Sequence, residues 1–572
     1  MTKVIEFTLQ SRRVYFQKEY KSEDMKQFFI SLLAVFSLTV SAEVKLQHQG
    51  DAAHIVVNGT PMLILGGELS NSAATSIADI DSVMPRMARM GLNTVLVPAQ
   101  WDLMEADEGK FDFSLIDETI NRARENHLKV IFLWFGAWKN SMSCYAPLWF
   151  KQDVKKYPRA MTRTGKPLEI ASAFSENVFE ADEHAFSRLM AHIAEVDSRE
   201  NTVIMVQVEN EIGMLEDARD HSPLAEKAYQ TPVPNELLSA LKLKQKGTWA
   251  QVFGTDSYAD EKFMAYYYAR YVERLARSAR RIHNIPLYVN AAMNSRGRKP
   301  GQYPSAGPLA HLAEIWRRAA PDIDILAPDI YDTGFKGWAS QYAMKDNPLF
   351  IPESRCCINS GVRAFYTLGE HEAVGFSAFA IDQAPVTETQ YLTKSYALLN
   401  QLTPLLLKYQ GKDVTHGLLF DQQDKERIIA DGDLMMTCRH YFTLPWDARA
   451  TDGSTWPEGG AVIIKLAADD FLIAGSGVVV TFQTATEKKQ EEKKTLGEDG
   501  FVNAGDGQNS QSTASRFVGK RIGIGYVDEV DVDAAGNLKY IRRENGDQDH
   551  QGRHARISVG DYKILHVRLY HY

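Results

Sequence analysis

TVIMVQVENEIG, Thr202–Gly213, joins an unbroken apolar run to two glutamates and an asparagine. The run has the length and the Val/Ile/Met content of a strand buried on both faces. Glu209, Asn210 and Glu211 stand where that strand ends. Carboxylates placed at the end of a fully buried strand need a structural partner or a chemical use.

Seven more runs of the same kind occupy residues 60–385: PMLILGG (61–67), NTVLVPAQ (93–100), KVIFLWFG (129–136), IPLYVNA (285–291), IDILAPDIY (323–331), PLFIPES (348–354) and VGFSAFAID (374–382). Amphipathic helical stretches lie between them. DIDSVMPRMARMGLN predicts a helix starting at Asp81 or Ser82 and stopping at Gly91. SLIDETINRAREN opens on a Ser114-x-x-Asp117 cap. EHAFSRLMAHIAEV sets Phe186, Met190, Ile193 and Val196 on one face. Eight apolar strands, each followed by a helix, predict an α/β fold, a (β/α)₈ TIM barrel. A doubly wound open sheet is the alternative. It would usually carry a Gly-rich phosphate loop after strand one, and Gly66-Gly67-Glu68 is not one.

The character changes beyond residue 400. A long helix is expected to reach Tyr409. Short β-rich runs then follow, separated by Gly, Asp and Asn turns, and predict a C-terminal β-sandwich-like domain over 410–572. Residues 486–516, polar and Gly/Ser-rich, are expected to form a mobile loop. The barrel domain is expected over 43–409.

The N-terminus reads as an address. Lys26 precedes an apolar stretch, Phe28 to Val40, and Val40-Ser41-Ala42 fits a small-residue cleavage site, so 25–42 is read as a signal peptide. That stretch is too short to span a membrane. Residues 1–24 are read as a spurious extension, the alternative being a genuine N-terminal arm. The expected location is periplasmic or extracellular. A net charge of −9 argues against a nucleic-acid partner. Four cysteines in 572 residues do not make a disulfide scaffold. No CxxC or HExxH spacing occurs, so no metal and no other cofactor is expected. Four of nine tryptophans, Trp101, Trp134, Trp138 and Trp149, fall within 50 residues. Indole faces suit sugar rings, and they equally suit a core.

In a barrel of this kind, working groups sit at the carboxyl ends of the strands. Those ends carry Glu68, Gln100-Trp101 with Glu105 beyond, Trp138 and Asn140, Asn210-Glu211, Asn290, Asp329 and Tyr331, Glu353, and Phe379 with Asp382. Glutamates ending strands four and seven face one another across the mouth. A pair about 5–5.5 Å apart suits a retaining glycosidase, one carboxyl protonated and the other ionised. Glu209 is read as a supporting residue.

VQVENEIG with FIPESR resembles the clan A glycoside hydrolases. Within them it is similar to the family 35 β-galactosidases, whose strand-four motif reads Q-x-E-N-E-Y-G. GLNTVLVPAQWDLMEADEGKFDFS resembles that family's second-strand region. The resemblance spans about residues 55–390. It implies that Glu211 is the acid/base, Glu353 the nucleophile, Asn210 the 2-hydroxyl ligand and Tyr331 the hydrogen-bond donor to the nucleophile. The chain departs from the pattern at several points. Ile212 replaces the Tyr after NE, and Pro98 the tyrosine before the second-strand tryptophan. Strand one gives GGELSNS rather than G-E-I-H-Y. Trp138 and Lys139 stand where many members have a C-A-E-W glutamate that reads galactose hydroxyls. Trp101, Glu105, Trp138, Asn140 and Glu68 are the candidates for the sugar subsite. The long segment from Met214 to about Asp260 is expected over the mouth, which favours exo action.

The expectation is a retaining exo-β-galactosidase acting on oligosaccharides or plant polysaccharides. The same mechanism on a glucoside, xyloside or mannoside is a second reading. A non-catalytic carbohydrate-binding protein is a third.

Overall fold

The computed structural model describes residues 43–491 and 519–572. The expected extension, the signal segment and residues 492–516 of the expected loop lie outside the described residues. Among those described, no helix is long and apolar enough to cross a membrane.

Eight parallel strands form the barrel: Ile64–Glu68, Thr94–Gln100, Lys129–Phe135, Val203–Gln207, Leu287–Ala291, Ile325–Ile330, Phe350–Ser354 and Gly375–Ala378. All are buried almost end to end, which is why the sequence shows unbroken apolar runs rather than alternation. Strand seven is divided at Pro352, which has no N–H to give. Its first half, Phe350–Ile351, pairs with strand eight, and its second, Glu353–Ser354, with strand six. The ring closes through that division and through strand eight against strand one. At the closure Gly375 meets Ile64, where an added Cβ would lie 2.4 Å from the Ile64 Cβ.

A helix follows each strand: Ile77–Arg89, Ser114–Glu125, Glu176–Asp197, Ser257–Ile282, Ala313–Ala319, Phe335–Tyr342, Ser360–Glu370 and Val386–Tyr409. Their boundaries correct several expectations. Ser76, not Asp81 or Ser82, caps the first helix, its side chain accepting from Asp79 N. Asp81 lies inside that helix and pairs with Arg122 at 2.6 Å. Asp112 takes the capping role expected of Ser114, accepting the Ser114 N–H at 2.9 Å. Val196 is 37% exposed, and Asp197 holds the inward position next to it. Asp197 is fixed there by Arg124 at 2.6 Å and the Val203 N–H at 2.7 Å.

The run PMLILGG belongs to two sheets. Thr60–Met62 completes a three-stranded antiparallel sheet with Val44–Gln49 and Ala52–Val57, and only Ile64 onward is barrel. The segment expected over the mouth is folded into three short helices, Pro223–Tyr229, Asn235–Ala240 and Trp249–Phe253. Tyr229 and Trp249 pack on Phe263, near the start of helix Ser257–Ile282. Asp217 and Asp220 tie it to the loop after strand three.

Beyond Tyr409 two antiparallel sheets, of six and four strands, pack face to face. Leu418, Ile463, Ile473 and Leu565 meet Met436, Cys438, Val480 and Phe482 between them. The alternate residues Val462, Ile464, Leu472 and Ile564 join the barrel's own core. The central strands of the six-stranded sheet are thus buried on both faces, while its edge strand Leu538–Arg543 is largely exposed. The helix Ala485–Glu491 takes up the first residues of the expected loop, 486–491. Thr484 and Glu487 bond reciprocally there, a capping box the polar composition obscured.

Candidate active site

Glu209, Asn210 and Glu211 point to three different places. Glu209 and Glu211 have φ of 60° and 46°, and Asn140 and Ser141 beside them have 51° and 58°. This left-handed backbone is strained for residues with a Cβ and must be held by its surroundings. Asn210 N–H donates to Trp138 O at 3.2 Å, and Ser141 N–H to Glu211 O at 3.1 Å. Ser141 Oγ–H also donates to Glu211 O at 3.0 Å. Glu211 N–H donates to Asn290 Oδ1 at 2.9 Å.

Glu209 turns outward, toward helix Glu176–Asp197. Its Oε2 accepts the Trp138 N–H at 2.8 Å. Burial and the neighbouring Asp182 push its carboxyl well above the usual carboxylate range, so it keeps its proton and donates a hydrogen bond to Asp182. Asp182 also accepts from Trp134 Nε1 at 2.9 Å and from the Tyr271 hydroxyl at 2.7 Å.

Glu211 turns inward. Its carboxylate, that of Asp329 from strand six and that of Glu353 from strand seven each offer an oxygen, all within 4.8 Å of one another. Asn140 Nδ2 donates to Glu211 Oε2. Asn290 Nδ2 donates to Asp329 Oδ2 at 2.7 Å and to Glu353 Oε1 at 3.3 Å. The Tyr331 hydroxyl donates to Glu353 Oε2 at 2.6 Å. Glu68 completes the cluster from strand one. It is fully buried and hydrogen-bonds toward Glu353 as a carboxylic acid.

Burial raises the Glu211 carboxyl, and the Glu353 charge adds to the rise; Lys139 and the bonds from Asp329 and Asn140 oppose it. Glu68 and Asp329 are raised further, first by burial and then by the Glu353 charge. The Tyr331 hydroxyl is raised for the same two reasons. Lys139, 2% exposed, is the cation beside Glu68 and Glu211. Neither the amide nitrogen nor the amide oxygen of Asn210 has a partner, though the residue is buried.

The structure therefore brings Glu211, Glu353, Asn140, Tyr331 and Glu68 together, with Asn210 beside them. Three of the candidates sit elsewhere or are already committed. Trp101 packs at the outer layer against Trp134, Trp149 and Phe150, and its Nε1 donates to Glu105 Oε2 at 2.7 Å. The other oxygen of Glu105 accepts the Gly109 N–H at 2.7 Å. Trp138 lies edge-on to Tyr268 and Tyr271 of helix Ser257–Ile282. Trp101 and Glu105 are taken up by packing and by each other, whereas Trp138, though packed on two tyrosines, keeps a buried Nε1 without a partner. Asn290 and Asp329, which organise the cluster, stand at strand ends in the sequence, but a lone Asn or Asp there has no distinguishing pattern.

Residues 74–260 match the glycoside hydrolase 42 family model, described as "Beta-galactosidase". This part, about a third of the chain, is thus similar to the β-galactosidase-type glycoside hydrolases. The chain also matches Beta-galactosidase-1-like protein 3 of Homo sapiens, 29% identical over 180 residues, or 31% of this chain and 25% of that protein. The chain thus spans about a quarter of that relative's length. Residues 392–556 match a domain of unknown function, DUF5597. Among solved structures, the β-galactosidase of the psychrophilic Marinomonas ef1 is 12% identical with a TM-score of 0.44, covering 59% of each chain. That of Bacillus circulans sp. alkalophilus is 14% identical with a TM-score of 0.44, covering 61% of this chain and 57% of its own.

Proposed function

We propose that the chain is an exported, retaining, exo-acting β-glycosidase of the family 35 branch of clan A, cleaving terminal β-galactosides of oligosaccharides or plant polysaccharides. The observation that carries this reading is the meeting of Glu211 and Glu353 oxygens within 4.8 Å at the ends of strands four and seven. Oxygens that close suit a nucleophile and an acid/base of the retaining kind. Glu353, oriented by Tyr331 and Asn290, attacks the anomeric carbon while Glu211 protonates the leaving oxygen. The unpartnered amide of Asn210 is free to bind the 2-hydroxyl.

The charge arrangement supplies both roles of Glu211. While Glu353 is ionised, its charge helps keep the Glu211 proton on. Once Glu353 is esterified that charge is gone, Glu211 ionises more readily, and it takes a proton from the incoming water. Glu211 therefore governs the basic limb of kcat/KM, above the ordinary glutamate value.

Lys139 favours a second reading, in which the same mechanism serves another β-glycoside. It places an ammonium where many family members place a hydroxyl-accepting glutamate. A panel of aryl β-galactoside, glucoside, xyloside, mannoside and arabinoside, run on protein starting at Glu43 with Glu353→Ala as control, separates the two. Turnover of the galactoside with a dead variant is expected. Preference for another sugar would replace the galactoside assignment. No turnover, also on natural oligosaccharides, would return the carbohydrate-binding reading. Export rests on Met25–Ala42, and N-terminal sequencing of the mature protein would test it.

A further inference from the structure

We propose that the C-terminal domain, through Glu458, positions the two strand ends that carry Tyr331 and Glu353. This rests on the catalytic reading above. Glu458 lies just before the six-stranded sheet's strand Gly459–Ala467. Its two carboxylate oxygens accept from Arg363 Nε and Nη2, both at 2.7 Å. Its backbone N–H donates to Asn359 Oδ1 at 3.1 Å. Asn359 and Arg363 open the helix that follows Glu353. The Arg363 guanidinium also lies over the Phe335 ring, 5.0 Å from its centroid, and Phe335 opens the helix that follows Tyr331. The next residue, Lys336, donates to Leu419 O at 3.0 Å and pairs with Asp424, both in the C-terminal domain. One carboxylate thus fixes a guanidinium on which both segments rest.

The interface is uneven. At the far end of helix Ser360–Glu370 the domains meet in close contact: a Cβ on Gly417 would lie 2.5 Å from Tyr366 O and Glu370 N. At the mouth end a cavity of about 210 Å³ remains, lined by Thr333, Phe335, Lys336, Leu419, Phe420 and Glu458. Close packing reaches this end as well, where a Cβ on Gly460 would lie 3.1 Å from the Val362 Cβ, and the polar links beside the cavity add a fixed direction to it. A buried ion pair is a weak source of net stability, because desolvation offsets the attraction. What a two-point Arg–carboxylate fork does supply is a fixed distance and angle. That is the property a hydroxyl 2.6 Å from a nucleophile requires.

The test uses the chain from Glu43 with Glu458→Gln, Glu458→Asp and, as an interface control far from the mouth, Arg427→Gln, which removes the 2.7 Å pair with Glu370. Two quantities are read: kcat and KM on the aryl glycoside that the wild type cleaves, and hydrogen exchange of peptides covering 329–342 and 350–366. For Glu458→Gln a kcat loss of about ten-fold or more is expected, with KM within about three-fold. Exchange should rise in those two peptides alone, and Glu458→Asp should fall between wild type and Gln. Arg427→Gln should lower Tm with kcat unchanged. An unchanged kcat in Glu458→Gln, or exchange rising across the whole sandwich, would overturn the proposal. If the wild type cleaves no glycoside, the catalytic reading fails, and the exchange pattern still decides whether Glu458 holds these strand ends.

Discussion

Two buried carboxyl pairs lie on either side of strand four, and the stretch Glu209-Asn210-Glu211 supplies one member to each. The outer pair, Glu209 with Asp182, is sealed. Trp134, Tyr271 and the Trp138 backbone supply the donors, and one proton is shared between the two acids. The inner pair, Glu211 with Glu353, is bonded by Asn140, Asn290 and Tyr331, with Asp329 and Glu68 beside it, and Tyr331 is 37% exposed. The unpartnered Asn210 amide lies beside it. Burial raises acids in both places, so a raised acid alone does not mark a catalytic one. The difference is whether the surrounding groups are already satisfied.

The sharpest break in this comparison is Glu353→Ala, which should bring turnover to background while leaving the melting temperature near that of the wild type. Glu211→Gln should lose about 10²- to 10⁴-fold on substrates with poor leaving groups, and its basic pH limb should vanish. The outer pair should respond in the opposite sense. Asp182→Ala leaves the Trp134 N–H and the Tyr271 hydroxyl without an acceptor and should cost about 3 kcal/mol of stability in denaturant titrations. Its kcat should fall far less than that of the Glu353 variant. Equal damage to kcat from both would erase the distinction.

Tyr331→Phe should lower kcat by about ten-fold with little change in Tm, since it removes one hydrogen bond to Glu353 and no packing volume of consequence. The smallest effect is expected from Glu209→Gln. The Glu209 carboxyl is protonated in the folded chain well above its ordinary 4.5, at which it ionises once unfolded. Its contribution to stability is therefore full below about pH 4.5 and declines as pH rises toward the raised folded value. The variant should melt with the wild type near pH 4.5 and above it at pH 8. Identical Tm curves across that range would mean that Glu209 is ionised in the folded protein.

Part of this was legible in the chain alone. The eight apolar runs, their helices and the strand-rich C-terminal region follow from side-chain periodicity, which is a local property. The glutamates ending strands four and seven were legible because a parallel barrel brings strand ends to one face. Orientation was not legible. Two left-handed residues within Glu209–Glu211 break the alternation of a strand, so sequence spacing could not say which glutamate turns inward. The sugar-subsite reading of Trp101, Glu105 and Trp138 met the same limit. A tryptophan at a strand end suits a sugar or a core equally, and only the positions of Glu105, Tyr268 and Tyr271 commit these to packing. Asn290, Asp329 and Glu458 gain their places from contacts across 39 to 95 residues of chain. The sequence by itself determined the repeating strands and helices and the carboxylates at their ends, because burial patterns are written residue by residue. Which carboxylates share a proton, which face a ligand, and which distant side chain holds them were decided only by tertiary structure, because hydrogen bonds depend on distances that folding alone creates.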